Sequence, residues 1–127
     1  MEENLEAINW PKISIITPSF NQGSFIEETI RSVILQNYPD YEYFIVDGGS
    51  TDNTIDIIKK YEKSITKWVS EKDEGQSDAL NKAFSWCTGD LICWINSDDY
   101  FYPGAFMKIV DKYLTCNTKE TSIITGN

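Results

Sequence analysis

Two aspartates stand side by side where an apolar run ends. Leu91-Ile92-Cys93-Trp94-Ile95 leads through Asn96-Ser97 into Asp98-Asp99. Adjacent carboxylates repel unless water screens them or a cation lies between them. A hard divalent ion such as Mg²⁺ or Mn²⁺ accepts one or two protein carboxylates and completes its shell with ligand phosphates and water. Taken alone, the pair reads equally as a turn before the segment at Pro103. Acids also follow two other apolar runs, in Asp47-Gly48-Gly49-Ser50-Thr51-Asp52 and in Ser70-Glu71-Lys72-Asp73-Glu74-Gly75-Gln76. Asp47 suits a hydrogen bond to a ribose hydroxyl or a base N–H; its competing role is a turn ahead of two glycines. Phe20 offers a face on which a base could stack, or simple packing.

Other chemistries are excluded by composition. The chain has no histidine, which removes Ser-His-Asp and Cys-His catalysis, His-ligated zinc and imidazole acid–base chemistry. Cys87, Cys93 and Cys116 form no CxxC pair and read as free thiols, the first two in apolar surroundings. The 127 residues carry a net charge of −9, which argues against a nucleic-acid partner. An anionic small ligand would need backbone N–H groups or a bound cation. No Walker A or G-x-G-x-x-G sequence occurs. No apolar run approaches the ~20 residues that span a bilayer. The acidic start Met1-Glu2-Glu3-Asn4 lacks the basic and apolar regions of a signal peptide, so a cytoplasmic location is expected.

The elements that would position these groups alternate in period. Residues 1–11 read as a polar lead-in, and residues 12–127 as one domain. Ile13, Ile15 and Ile16 form a strand ending at Thr17-Pro18. Phe25, Ile26, Thr29, Ile30, Val33 and Ile34 recur at helical spacing. Tyr43 to Val46 is a second strand, and Asp52 or Asn53 caps a helix carrying Ile55, Ile57, Ile58 and Tyr61. Lys67-Trp68-Val69 is a third strand. A third helix runs from near Ser77 or Asp78 to a stop at Gly89. Leu91 to Ile95 reads as a central strand covered on both faces, and Pro103 suits the first turn of a fourth helix. Ser122 to Thr125 begins a fifth strand. Trp68, Trp86 and Trp94 read as core. The order βαβαβαβαβ predicts an α/β fold: a mostly parallel, Rossmann-like sheet with helices on both faces. In such sheets ligands bind outside the carboxyl ends of the strands, where three of four ends carry paired acids.

Ile15-Ile16-Thr17-Pro18-Ser19-Phe20-Asn21, the Asp47–Asp52 segment, Glu71 to Phe84 and Asn96-Ser97-Asp98-Asp99 together resemble family 2 glycosyltransferases of the GT-A fold. The resemblance runs from about Pro11 to the end. It implies a nucleotide-sugar donor, often UDP-linked, inversion at the anomeric carbon, and a Mn²⁺ or Mg²⁺ cofactor. By position, it places Thr17, Pro18 and Phe20 around the uracil. Asp47 would meet the base or ribose, and Asp52 would support the turn. Asp73, Gln76 and Asp78 would lie toward the ribose or donor sugar, Asp98 at the ribose or the metal shell, and Asp99 on the metal. The acceptor would be a carbohydrate or lipid-linked molecule. Peripheral membrane association of the full protein and homo-oligomer formation stay open. Two positions depart from the family: Asn96 stands where its acidic motif often has Asp, and Lys72 and Lys82 are the cations where an Arg is often found. The resemblance places the catalytic base beyond Asn127 and implies donor binding without efficient transfer by these residues alone. A metal-dependent phosphohydrolase or nucleotidyltransferase, and a non-catalytic interaction domain, are the competing classes.

Overall fold

A computed structural model describes residues 10–116 and 122–125. Residues 1–9, 117–121 and 126–127 lie outside what is described, as do the side chains of Gln76, Thr115, Cys116 and Ser122–Thr125. Strands β1 (Ile13–Ser19), β2 (Tyr41–Asp47), β3 (Lys67–Ser70), β4 (Leu91–Trp94) and β5 (Ser122–Thr125) alternate with helices α1 (Ile26–Ile34), α2 (Thr54–Lys60), α3 (Gln76–Phe84) and α4 (Ala105–Cys116). The sheet runs β3-β2-β1-β4-β5, and every neighbouring pair is parallel.

Strand alternation sorts the core into two layers. Ile13, Ile15, Tyr43, Ile45, Leu91 and Cys93 face Ile26, Ile30 and Val33 of α1, Ile58 of α2, and Phe106 and Val110 of α4. Ile16, Phe44 and Val46 face the other way, onto Ala79 and Ala83 of α3. Three helices thus cover one face and α3 covers the other, with a small residue every fourth position where it meets the sheet. β1 is buried at all seven positions, as a central strand sandwiched by helices must be. Trp68, Trp86 and Trp94 are half-buried against these layers. Burial pushes the Cys93 thiol up to about 12, leaving it unreactive at neutral pH. Among the described residues no helix is long and apolar enough to cross a membrane.

β2 (Tyr41–Asp47), β3 (Lys67–Ser70) and β4 (Leu91–Trp94) differ by a residue or two from the sequence reading, and three further boundaries differ for physical reasons. β1 continues past Thr17-Pro18 to Ser19. Proline cannot donate to a ladder, but β4 pairs with β1 only as far as Ile16↔Trp94; beyond it β1 has β2 alone as neighbour, so one flank needs no donor. α3 stops at Phe84, and Trp86 and Cys87 close its end with bonds to Ala83 and Phe84 carbonyls. Gly89 serves close packing instead: a Cβ there would lie 2.6 Å from Ser14 Oγ and 2.8 Å from the Lys12 carbonyl oxygen. α4 starts at Ala105, two residues after Pro103, because Gly104 turns left-handed with φ 80°.

A buried carboxylate ties the amino ends of the strands together. Glu42 accepts from Ser14 Oγ (2.6 Å), the Thr88 N–H (2.6 Å) and the Thr88 hydroxyl, with the Lys12 ammonium 3.3 Å away. Burial raises its pKa, but the hydrogen bonds from Ser14, Thr88 and Lys12 outweigh that and hold it below the ordinary 4.5. A carboxyl depressed by folding stabilises the native state above its unfolded pKa and loses that contribution as pH falls through the folded value. Glu42→Gln is therefore expected to lower the melting temperature at pH 7 and to shrink the gap from wild type as pH drops below 4.5. A gap constant from pH 7 to pH 3 would contradict this.

Candidate functional site

The strand ends build a cleft of about 810 Å³. β1 and the loop after it contribute Pro18, Ser19, Phe20 and Gln22; the loop after β2, Gly48 and Gly49; the segment from β3 into α3, Lys72, Asp73, Gly75 and Ala79; and the turn after β4, Asn96, Ser97 and Asp98.

The loop after β2 is organised by Asp47, which is fully buried. One carboxylate oxygen accepts the Gly49 and Ser50 N–H groups (3.1 and 2.7 Å) and the Ser70 hydroxyl (2.8 Å); the other accepts Ser50 Oγ at 2.6 Å. Gly49 sits at φ 91°, which an L side chain rarely adopts. The loop after β1 fastens to this one. Asn21 takes the left-handed conformation (φ 51°), its N–H donates to Ser50 Oγ at 2.7 Å, and its side-chain carbonyl accepts the Thr51 N–H at 2.8 Å. Gln22 N–H meets Thr54 Oγ1, and Gly23 N–H meets Asp52, both at 3.0 Å.

The β4 side is held differently. Asp99 N–H donates to the Asn96 carbonyl at 3.0 Å, closing a turn over Asn96–Asp99. Thr29 of α1 donates to the Asp99 carbonyl. Phe101 N–H donates to Ser32 Oγ at 3.0 Å, and Gln36 bonds the Tyr102 carbonyl and the Phe106 N–H at 2.9 and 3.1 Å. Thr29 and Ser32 of α1 and Gln36 of the turn that follows it are spaced three and four apart, so one side of this stretch grips the whole segment.

Of the residues singled out from sequence, Pro18, Phe20, Asp73 and Asp98 line the cleft. Phe20 is 56% exposed, with its ring available to a ligand. Asp73 accepts the Gly75 N–H at 3.0 Å and stands 3.0 Å from where a Gly48 Cβ would be. Thr17 is buried and shares a 2.7 Å hydrogen bond with Tyr43. Asp47 lies beneath the loop, outside the lining. Asp52 is exposed and accepts Thr54 Oγ1, the Thr54 N–H and the Gly23 N–H; these bonds, the Thr54 hydroxyl first, hold its carboxyl below the ordinary range. Asp78 accepts the Glu74 N–H at 3.0 Å at the start of α3. Asp99 is half-buried behind Asp98 in sequence and outside the lining. Sequence reasoning gave no role to Ser19, Gln22 or Ser97, which line the cleft, or to Asn21. The left-handed tolerance of Asn was the one available signal for Asn21.

The charged lining is two carboxylates, Asp73 and Asp98, against one ammonium, Lys72; Lys82 is engaged by Glu71. A diphosphate entering here meets net negative charge, which a cation beside it would offset. Among the described residues no group of three or more Cys, Asp or Glu side chains could hold a metal alone. The exposed Asp98 with Asp99 beside it fits a Mg²⁺ or Mn²⁺ whose remaining ligands are phosphate oxygens and water.

A model of the family described as glycosyl transferase family 2 matches residues 14–118. TuaG of Bacillus subtilis (strain 168), a glycosyltransferase provisionally assigned to teichuronic acid biosynthesis, is 42% identical over 95 residues, covering 72% of this chain and 38% of its own length. The chain thus spans well under half of that relative. Among solved structures, S. aureus TarS 1–349 in complex with UDP-GlcNAc is 27% identical with a TM-score of 0.71, over 82% of this chain and 31% of that one. Glucosyl-3-phosphoglycerate synthase from Mycobacterium tuberculosis, in complex with Mn²⁺, UDP and glucosyl-3-phosphoglycerate, is 26% identical with a TM-score of 0.67, over 83% of this chain and 40% of that one.

The hydrogen bonds to Asp47 imply that Asp47→Ala orphans two backbone donors in a half-buried loop, each costing up to about 1–3 kcal/mol. A large fall in urea midpoint is expected, with a much smaller one for Asp52→Ala at the exposed turn. Equal midpoints for the two variants would contradict the assignment.

Proposed function

The chain belongs to glycosyl transferase family 2, and on that premise we propose that its cleft seats a nucleoside diphosphate sugar, UDP-linked, for transfer to an acceptor hydroxyl with inversion. The observation that carries this reading is the shared cleft. An exposed aromatic ring and a side-chain-free glycine pair lie on the β1–β2 side, and a carboxylate turn lies on the β4 side. A base and ribose fit the first; a cation-bridged diphosphate fits the second. The UDP and Mn²⁺ held by structures similar to this chain support the same arrangement.

In the transfer, the bond from the anomeric carbon to the diphosphate oxygen breaks as an acceptor oxygen attacks from the opposite face. The electron pair leaves with the diphosphate, and the acceptor proton passes to a base. A divalent cation at Asp98-Asp99 would supply charge neutralisation for that leaving group. Asp98 and Asp99 would hold the cation, Lys72 would add a second positive charge, and Phe20 with Pro18 would orient the nucleoside. Thr17, Asp47 and Asp52 act through the loops they brace; Asp73, Gln76 and Asp78 lie on the α3 side, toward the ribose or donor sugar. None of these residues is assigned as the base. The acceptor is a carbohydrate or a lipid-linked molecule. The free thiols Cys87 and Cys93 suit a reducing, cytoplasmic setting.

Calorimetry with UDP, with and without Mn²⁺, tests the site. Wild type should bind more tightly with the metal. Asp98→Ala and Asp99→Ala should lose most of that increment while keeping metal-free binding. Metal enhancement unchanged in both variants would sink the proposal.

A further inference from the structure

α1 buries Ile26, Thr29, Ile30 and Val33. The three aliphatic residues fill the core, and Thr29, equally buried, is the polar exception. Threonine is a poorer helix residue than alanine, and inside a helix its hydroxyl ordinarily bonds the carbonyl one turn back. Here the hydroxyl donates to the Asp99 carbonyl, 70 residues further along the chain. The Asp99 N–H donates to the Asn96 carbonyl at 3.0 Å. Both polar groups of the Asp99 main chain are thus held, one by the turn itself and one by α1. The turn is anchored from inside the fold, while Asp98 is exposed and lines the cleft.

We propose that Thr29 is a positioning residue for a divalent cation: its hydroxyl holds the Asp98-Asp99 turn in the shape that receives Mn²⁺, without touching the ion. The proposal rests on the donor-site reading above, in which these two aspartates hold the cation. Metal ligands bind tightly when the groups behind them restrict their motion. A turn without its anchor must be ordered as the ion arrives, and that cost falls on metal affinity. Ser32 and Gln36 fasten residues 101–106, downstream of the aspartates; Thr29 holds an aspartate itself. The nucleoside side of the cleft is built by the loops after β1 and β2, whose bonds to each other do not involve Thr29. Metal-free binding of UDP is therefore independent of it.

Calorimetry with UDP, with and without Mn²⁺, on Thr29→Val, Thr29→Ser and Ser14→Ala tests this. Valine keeps the shape and removes the hydroxyl. It should leave metal-free UDP affinity within about twofold of wild type and cut the Mn²⁺ enhancement about three- to tenfold, the effect of one hydrogen bond. Serine restores the hydroxyl and should restore the enhancement. Ser14→Ala breaks a buried bond to Glu42 at the opposite ends of the strands; it should lower the melting temperature and leave the enhancement intact. Thr29→Ala carries the same expectation as valine should the valine variant fail to fold. An unchanged enhancement in Thr29→Val, an enhancement that serine does not restore, or an equal loss of it in Ser14→Ala would overturn the proposal and leave the donor-site reading standing. Absence of any Mn²⁺ enhancement in wild type would overturn both.

Discussion

The cleft exists because neighbouring strands end at different heights. β2 follows β1 to Ser19↔Asp47, whereas β4 leaves it at Ile16↔Trp94. In a parallel sheet a strand that outruns its neighbour exposes one flank of its ladder. Pro18 lies on that overhang, where a missing N–H is tolerated. The space beside it lies between the loops of β1 and β2 and the turn after β4. Had β4 run three residues further in register, it would have filled the cleft with sheet.

Acidic residues divide into two kinds by where their lone pairs are spent. Asp47, Asp52 and Asp78 spend theirs on backbone N–H groups and hydroxyls of their own and neighbouring segments. Asp98 is exposed in the cleft. Asp73 does both: it braces Gly75 and still reaches the lining. A chain this acidic therefore need not be repelled by its own site, since several of its carboxylates there are already solvated by protein dipoles.

The alternation of strand and helix was legible because period and burial agree: Ile13, Ile15 and Ile16, or Leu91 to Ile95, admit few other readings. Asp98 was legible because it follows the most apolar run. Asp47 was legible as a position but not as a partner, since nothing in sequence says that Ser70, twenty-three residues on, will reach its oxygen. Gly89 was misread for a related reason. Helix stops and close backbone approaches both select glycine, and only the pairing of Lys12 and Ser14 against it distinguishes them.

The grip of Thr29, Ser32 and Gln36 on the segment after β4 has a consequence for how the molecule assembles. Bonds that fasten the β1 loop to the β2 loop join residues 29–32 apart in the chain. Those that fasten the aspartate turn and its sequel to α1 and the turn after it join residues 66–70 apart. Closing longer loops costs more entropy and comes later in assembly. A nascent chain can thus shape one wall of the cleft soon after α2 emerges, while the opposite wall waits for residues near 100 to dock. The complete cleft is then a property only of the finished sheet, and an unfinished intermediate lacks its β4 wall.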